Sequence, residues 1–285
     1  MLTAQVQTNT TTNALHVCHT SCDLYDAGTL NSWLSEVNTW LTSNPNEVVT
    51  ILLVNGADAS ASDLAAQYQQ AGIGDIVYTP TASSSSSSSS DYEWPTLQSL
   101  INNGTRLLNF VGTLSDNSGA SYLMNEFDYI FENSYENAAP TDFSCIANRP
   151  SSVANNTDLA LSKGLMPLMN HFLYEDEAFG IQAPNDTYAT TTNAPNGGSG
   201  NLGSSADECT SSYGKAPQYI LVDFFNLGPA MTTVDRLNGV TDAVGRTTVS
   251  SSSSSSSQTT SGVSSTVLRT GMLWFTVLAS LSAFA

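Results

Sequence analysis

Apolar positions in the first part of the chain follow two different spacings. Residues 30–41 have apolar side chains three and four positions apart, which predicts an amphipathic helix. Asn44 and Pro45 are expected to end this helix. The next run, residues 48–54, is continuous and β-branched, and it predicts a strand that is buried on both faces. A helix followed by such a strand is typical of a parallel sheet that is covered by helices.

The same alternation of strands and helices continues along the chain. We predict strands at residues 2–7, 14–18, 73–78, 106–111, 166–172 and 218–225. We predict helices at residues 62–71, 159–163 and 231–237, and a further one that begins at Trp94 and Pro95. Residues 122–131 are aromatic-rich and fit either element, whereas residues 180–207 are predicted to be a long loop. The alternation indicates an α/β fold, a TIM-type (β/α) barrel.

Two serine-rich stretches and an apolar end set the domain boundaries. Residues 1–245 are predicted to form the barrel, which a disordered serine-rich insertion interrupts at residues 80–92. Residues 246–265 are predicted to be a Ser/Thr-rich stalk, because such a composition cannot bury a core. The tail at residues 266–285 ends in fourteen residues without a charge, fewer than the roughly 20 that a spanning helix needs. Small residues near Ser261 and a polar spacer make this tail similar to a GPI-attachment signal, and the alternative is an incidental apolar tail.

The charge and surface chemistry of the chain limit its partners. It has 7 basic and 25 acidic residues and a net charge of -18, which argues against nucleic acid and against anionic membrane surfaces. Ser, Thr and Asn are abundant, as they often are in extracellular proteins. Four sequons for N-glycosylation agree with export, at Asn9, Asn103, Asn155 and Asn185.

The four cysteines form an even set, which suits an oxidising compartment. Their separations favour one local disulfide and one long-range disulfide, namely Cys18–Cys22 and Cys145–Cys209. The chain opens on a strand pattern and not on a signal peptide, so we expect the natural N-terminus to lie upstream.

Residues 15–28 hold two of the three histidines and precede the strongest predicted helix. A histidine where a strand meets a loop has a position typical of the active site of a parallel α/β protein. His19 is therefore the first candidate for a general acid or base, and the alternative is a loop histidine held in a disulfide turn. His16 is expected to support His19 or to belong to the core. His171 ends a predicted strand and can face the same barrel mouth, although a structural role is favoured.

Acidic residues inside apolar stretches are further candidates. Asp223 lies within a predicted strand and needs a partner such as a histidine, because burying an unpaired carboxylate is costly. Glu126 and Asp128 lie in the aromatic stretch and belong either to the rim or to the site. The chain has no G-x-S-x-G motif and no P-loop, which removes the main support for a serine hydrolase or a P-loop nucleotide-binding protein.

His16, Cys18, His19 and Cys22 also have the residue types of a metal site. Their spacing does not fit the usual zinc arrangements, and cysteines in a disulfide do not bind zinc. We therefore predict no metal site and no cofactor.

Several segments resemble the fungal branch of the PLC-like phosphodiesterases, which are relatives of phosphatidylinositol-specific phospholipase C. The matching positions are residues 15–24, Trp33, and residues 40–41, 44–50, 106–108, 122–127, 145–150, 170–172 and 220–226. The resemblance covers most of the predicted barrel and implies a TIM-type barrel with two histidines at its mouth, one as base and one as acid. It implies cleavage of the phosphodiester of a phosphoinositide-like lipid.

The resemblance also implies roles for individual positions. His19 resembles the second histidine of the pair, whereas the first belongs to a strand that would precede Met1, so the barrel is expected to lack its first strand. Relatives carry acidic metal ligands, or an acid and a phosphate-binding arginine, where this chain has Thr3 and Gln5. Calcium, which part of the family uses, is therefore not supported.

Two functions follow as hypotheses. The first is an extracellular, GPI-anchored phosphoric diester hydrolase that acts on a phospholipid with His19 as acid or base. The second is a catalytically inactive, GPI-anchored glycoprotein that keeps the barrel as a binding or structural module, which Thr3 and Gln5 favour. We expect a monomer, and we expect the open edge of the strand at residues 2–7 to make the chain poorly soluble.

Overall fold

The structure is a computed structural model that describes residues 1–80, 93–176 and 182–246. The predicted insertion, stalk and tail lie outside the described residues, apart from Pro80 and Arg246. The described residues form a mixed α/β fold in which most strands are parallel. Among them, no helix has both the length and the apolar character needed to cross a membrane.

Six strands form the larger sheet, in the order β3-β2-β1-β4-β5-β6. They are β1 (Leu2–Thr8), β2 (Leu15–Cys18), β3 (Asp26–Thr29), β4 (Val49–Asn55), β5 (Leu107–Gly112) and β6 (Leu123–Asn125). Strands β1, β4, β5 and β6 run parallel to one another. Strand β2 is antiparallel to both of its neighbours, β1 and β3. The register places Gln5 opposite Val54 and Val54 opposite Gly112, so these three residues share one level of the sheet.

Three parallel strands form a second sheet, in the order β11-β8-β7. They are β7 (Ile130–Glu132), β8 (Met166–Asn170) and β11 (Tyr219–Leu221), while β9 (Tyr174–Asp176) and β10 (Gln182–Pro184) form a small hairpin. Within the described residues, no strand pairing joins the two main sheets into a closed barrel. Closure of the barrel therefore stays a prediction.

Seven helices accompany the strands in the described residues, and the apolar spacing predicted most of them. They are α1 (Leu30–Ser43), α2 (Ala61–Gln70), α3 (Leu97–Asn103), α4 (Thr157–Ser162), α5 (Asp186–Thr192), α6 (Leu202–Tyr213) and α7 (Ala230–Leu237). Thr29 begins α1 by accepting a hydrogen bond from the backbone N–H of Ser32. Arg106 donates to the backbone carbonyls of Leu41 and Asn44 at the other end of the helix, which fixes α1 against the start of β5.

Side chains alternate between the two faces of the strands, and each face has its own core. On the outer face of the larger sheet, Val6, Ile51 and Leu107 pack together with the apolar side of α1 and α2. On the inner face, Leu52 and Leu168 belong to one apolar cluster that side chains of both sheets share. Residues that continue the inner face beyond this cluster lie at the carboxyl ends of the strands.

Several sequence predictions of secondary structure are wrong. The strand at 218–225 ends at Leu221, so Asp223 lies beyond it. Residues 73–78 contain a 3-10 turn at Gly74–Ile76 instead of a strand. The predicted loop at 180–207 holds β10, α5 and the start of α6, because the buried positions of α6 stand among Ser and Gly residues that hide the helical spacing. The strand at 166–172 ends at Asn170, so His171 lies beyond it. The ambiguous stretch at 122–131 becomes β6, a 3-10 turn and the start of β7.

Both predicted disulfides are confirmed. Cys18 and Cys22 close a short loop at the end of β2. Cys145 and Cys209 join the segment after β7 to α6, which faces the outer side of the second sheet.

Candidate functional site

Two buried carboxyl groups meet at the carboxyl ends of β6 and β7. Glu126 follows β6 directly and begins a 3-10 turn, and Glu132 is the last residue of β7. They are only 3% and 2% exposed, and their side chains are hydrogen-bonded to each other. Because an ionised carboxylate only accepts hydrogen bonds, this contact requires one of the two groups to carry a proton.

Arg149 is the cation of this cluster. Its guanidinium forms an ion pair with Glu132, whose Oε2 also accepts a hydrogen bond of 2.9 Å from the side-chain amide of Asn170. The Arg149 Cζ lies 4.2 Å from the centre of the Tyr135 ring, and the side chain keeps 29% of its exposure. Arg149 thus links the buried carboxyl pair to the surface.

The surroundings of the two carboxyl groups place the shared proton on Glu126. Burial raises the pKa of Glu126 well above its ordinary value, and the neighbouring Glu132 raises it further. Burial opposes the ionisation of Glu132 as well, but the Arg149 charge outweighs it and lowers the pKa of Glu132. We therefore describe the cluster as neutral Glu126, anionic Glu132 and cationic Arg149.

Three polar atoms around Arg149 are buried and have no hydrogen-bond partner. They are the Arg149 Nε, the Tyr174 hydroxyl and the Glu126 Oε1. Burial raises the pKa of Tyr174, and the nearby Asp223 raises it further, so the hydroxyl stays protonated and can donate. Such atoms are uncommon in folded proteins and call for an explanation.

Asp223 lies just after β11 and is buried. Its charge acts on the Tyr174 hydroxyl, which places it at the Arg149 side of the cluster. Its backbone carbonyl accepts a hydrogen bond of 2.8 Å from Asn193. A histidine was a predicted partner for Asp223, but His171 donates from Nε2 to the backbone carbonyl of Thr192, at 3.0 Å.

His171 is completely buried and stacks on Phe143, with 4.0 Å between the ring centres. Burial lowers the pKa of His171 to about 4, so the imidazole is neutral at neutral pH. The structure therefore supports the structural role that the sequence favoured, and His171 does not face an open mouth.

His16 is also held on both ring nitrogens. Its Nδ1 lies 2.9 Å from each carboxylate oxygen of Asp26, and its Nε2 lies 3.2 Å from the Thr12 hydroxyl. The hydrogen bond from His16 lowers the pKa of Asp26, whose Oδ2 also accepts from the Asn9 side chain. These contacts brace the β1–β2 turn against β3, and a role for His16 in supporting His19 stays a prediction.

Among the described residues, His16, Cys18 and Asp26 are close enough together to hold a metal ion. Cys18 is bonded to Cys22, so its sulfur is not a thiolate. The remaining two ligands do not fit a zinc site.

His19 lies inside the loop that the Cys18–Cys22 disulfide closes, and it is half-buried. Its backbone N–H donates to the carbonyl of Tyr25 at 3.2 Å. The next residue, Thr20, donates its backbone N–H to the Gln5 Oε1 at 2.7 Å. The loop is thereby fastened to a side chain in the middle of β1, which lies level with the carboxyl ends of β4 and β5.

The position of Gln5 also shows where the His19 loop lies relative to the cluster of Glu126, Glu132 and Arg149. Gln5 shares a level of the sheet with Gly112, and a Cβ on Gly112 would lie 3.2 Å from the Glu126 Oε2. The loop of His19 and the Glu126–Arg149 cluster thus lie at the same end of the sheet. The inner face of β1 itself carries no charge, since it presents Thr3 and Gln5.

The sequence reasoning missed the most densely bonded part of this site. Glu132 was not a candidate, and Arg149 and Asn170 were noted only within matching segments. The signal was present, because Glu132 is an acid inside an apolar run, the same feature that singled out Asp223. Tyr174 carried no local signal.

The predicted glycosylation positions differ in exposure. Asn103 and Asn155 are exposed, whereas Asn9 and Asn185 are half-buried. Asn185 caps α5 by accepting a hydrogen bond from the backbone N–H of Tyr188.

Comparison with known proteins gives one family and two similar proteins. The model of the PI-PLC X family, described as PI-PLC X 1, matches residues 1–238. A protein of the fungus Arthroderma benhamiae named "Uncharacterized secreted protein" is 34% identical over 256 residues, which are 86% of this chain and 55% of that protein. Another from the same fungus, "PI-PLC X domain-containing protein 1", is 35% identical over 225 residues, which are 79% of this chain and 69% of that protein.

The chain thus spans 55% of the length of the first of these relatives and 69% of the second. No solved structure matches the chain.

Proposed function

The chain belongs to the PI-PLC X family, and on that premise we propose that it is a PLC-like phosphodiesterase. The proposed reaction cleaves the phosphodiester of a phosphoinositide-like lipid by histidine acid–base chemistry. The observation that carries the proposal is that the loop of His19 is bonded to Gln5, which lies on the same level of the sheet as Gly112, next to Glu126 of the Arg149 cluster. The carboxyl ends of parallel strands are where α/β proteins place their active sites.

His19 is the proposed proton-transfer group. It is half-buried in the loop after β2, where its Nδ1 lies 3.4 Å from the Thr20 hydroxyl, whereas His16 and His171 are buried. Imidazole is the side chain most often used for proton transfer in enzymes. The disulfide and the Thr20–Gln5 hydrogen bond restrict the loop that carries the imidazole, which supports this assignment.

Arg149 is the proposed contact for the phosphate charge. Arg106 is bonded to the end of α1, and Arg236 forms an ion pair with Asp207 on α6. Arg246 pairs with Asp235 on α7. Among the arginines of the described residues, Arg149 is the one at the carboxyl ends of the strands.

The test is release of a phosphorylated headgroup from vesicles that contain phosphatidylinositol, measured for the full chain and for His19→Ala. We expect the variant to lose about 100-fold or more of the rate, which is the usual contribution of an acid–base group. Asp23→Asn, an exposed change beside the same loop, is the matched control and should keep the rate. Equal rates for the full chain and His19→Ala would remove His19 from the mechanism.

The uncharged inner face of β1 favours a second candidate function, a catalytically inactive surface glycoprotein that uses the barrel as a binding or structural module. Thr3 and Gln5 supply neither a cation nor a calcium ligand, and loss of one transition-state donor costs about 2.7–4 kcal/mol. Saturable binding of the vesicles without any headgroup release would favour this second function over the first. No cofactor is part of either proposal.

The proposed place of action is outside the cell, with a GPI anchor that attaches the protein to the membrane. Two disulfides and the name of the secreted relative support export. We propose a monomer that binds phospholipid and not nucleic acid. The test is a surface label on the chain in intact cells, which a GPI-cleaving enzyme should release; a label that stays bound would exclude the anchor.

A further inference from the structure

Two buried hydrogen-bond donors near Arg149 can be satisfied by an acceptor on a bound ligand. The Arg149 Nε and the Tyr174 hydroxyl are donors, and both are buried without a hydrogen-bond partner. Tyr174 is 4% exposed, and the Arg149 charge acts on its hydroxyl, which places both donors in the same part of the protein. The negatively charged oxygens of a phosphate can accept a hydrogen bond from each of them.

The charge of the cluster decides whether such a ligand can bind. With a proton on Glu126, the charges of Glu132 and Arg149 cancel and the cluster is neutral. Without that proton the cluster has a net charge of one negative unit and repels an anion. Glu126 is 3% exposed and its Oε1 has no partner, and burial together with the neighbouring Glu132 raises its pKa more than the Arg149 charge lowers it.

We propose that Arg149, Tyr174 and the Glu126–Glu132 pair form one oxyanion-binding site, which accepts the phosphate group of a phosphodiester while the pair keeps its proton. This inference rests on the proposed function, because it names the part of the site that holds the phosphate. Glu126 acts through Glu132 and Arg149, so it is a positioning residue that sets the charge of the site.

Few other groups near the pair can change its charge. The inner faces of β1 and β5 offer Thr3, Gln5 and Gly112, and β8 offers the amide of Asn170. Asp128, on the same turn as Glu126, is exposed.

On the other side of Arg149, burial raises the pKa of Tyr174 and keeps its proton, and Asp223 and the exposed Glu136 also act on its hydroxyl. Asp223 and Glu136 add negative charge that does not depend on the shared proton. Glu126 is therefore the group whose ionisation adds one further negative charge to the site as the pH rises.

The test measures the affinity of the full chain for dimethyl phosphate, followed by phosphorus NMR across a range of pH. This probe keeps one negative charge throughout that range, so a change in affinity reports on the protein. We expect the affinity to fall tenfold for each pH unit above the point at which Glu126 loses its proton. Glu126→Gln should keep the affinity that the full chain has at acidic pH and should lose this pH dependence.

A tyrosine pair supplies the matched control for the donors. Tyr174→Phe should weaken binding about tenfold, in line with a hydrogen bond to a charged group. Tyr213→Phe removes an equally buried hydroxyl without a partner, on α6 and against Phe131, and should leave the affinity unchanged. Thermal unfolding of both variants confirms that each is folded.

Three results would overturn the proposal: no binding by the full chain, the same loss in both tyrosine variants, or unchanged pH dependence in Glu126→Gln. Failure of the proposed function gives a different result. Binding with the expected pH dependence but without headgroup release keeps the oxyanion site and removes the catalysis. If both the full chain and Glu126→Gln release the headgroup, and the KM of the two proteins depends on pH in the same way, the proposed catalysis stands and the oxyanion site is refuted.

Discussion

The carboxyl groups of Glu126 and Glu132 are hydrogen-bonded to each other inside the protein, although the two residues lie on different sheets. The contact joins the end of β6 to the end of β7, between which no strand pairing is found in the described residues. Arg149 and Asn170 hold the Glu132 side of the pair. A proton-sharing contact thus bridges the two sheets at the proposed site.

Removal of Arg149 should destabilise the protein, because it leaves the buried Glu132 charge without a counterion. We expect Arg149→Met to lower the free energy of unfolding by about 3–5 kcal/mol, measured by urea denaturation. Arg236→Met is the control, since its ion pair with Asp207 is 46% and 59% exposed and should contribute less than about 1 kcal/mol. Equal losses in the two variants would contradict the buried ion pair.

Glu126 should make the protein less stable as the pH rises. The folded protein keeps the proton of Glu126 above the ordinary pKa of 4.5, whereas the unfolded chain releases it there. Between that value and the raised pKa of the folded state, the folded protein binds more protons, so its stability falls with increasing pH. Urea denaturation at several pH values should show this fall for the full chain relative to Glu126→Gln. A constant difference between the two proteins would disprove it.

His171 should have the opposite effect at lower pH. Burial lowers its pKa from 6.5 to about 4, so the unfolded chain takes up a proton in this interval before the folded protein does. The stability that neutral His171 contributes is present above pH 6.5 and is lost as the pH falls toward about 4. His171→Gln should remove this part of the pH dependence in thermal unfolding. The same slope in the variant would show that another group is responsible.

The two disulfides should contribute to different properties. Cys145 and Cys209 are 64 positions apart, and replacing both by Ser should cost about 4 kcal/mol of unfolding free energy. Cys18 and Cys22 are 4 positions apart, so the same change should cost about 2 kcal/mol. Loss of the short loop should nevertheless reduce headgroup release more, because it frees His19. Urea denaturation and the vesicle assay separate the two effects, and a larger loss of rate in the Cys145/Cys209 variant would refute this assignment.

The sequence by itself determined the elements whose burial is local. The apolar spacing of residues 30–41 predicted α1, and the continuous apolar run at 48–54 predicted β4. Both predictions succeed because the apolar positions within one helix or one strand are the positions that become buried. The separations of the four cysteines gave both disulfides. The junction of a strand and a loop gave the position of His19 at the end of β2.

Only the tertiary structure decided which polar side chains meet. Glu126, Glu132 and Arg149 come from three segments, and no spacing along the chain tells that they share a proton and a charge. In the sequence, His171 and Asp223 are both polar residues near strand ends. In the structure, His171 stacks on the ring of Phe143, whereas Asp223 acts on the hydroxyl of Tyr174. Periodicity reports burial, which is a property of one element, whereas hydrogen bonds between buried groups depend on how distant elements pack together.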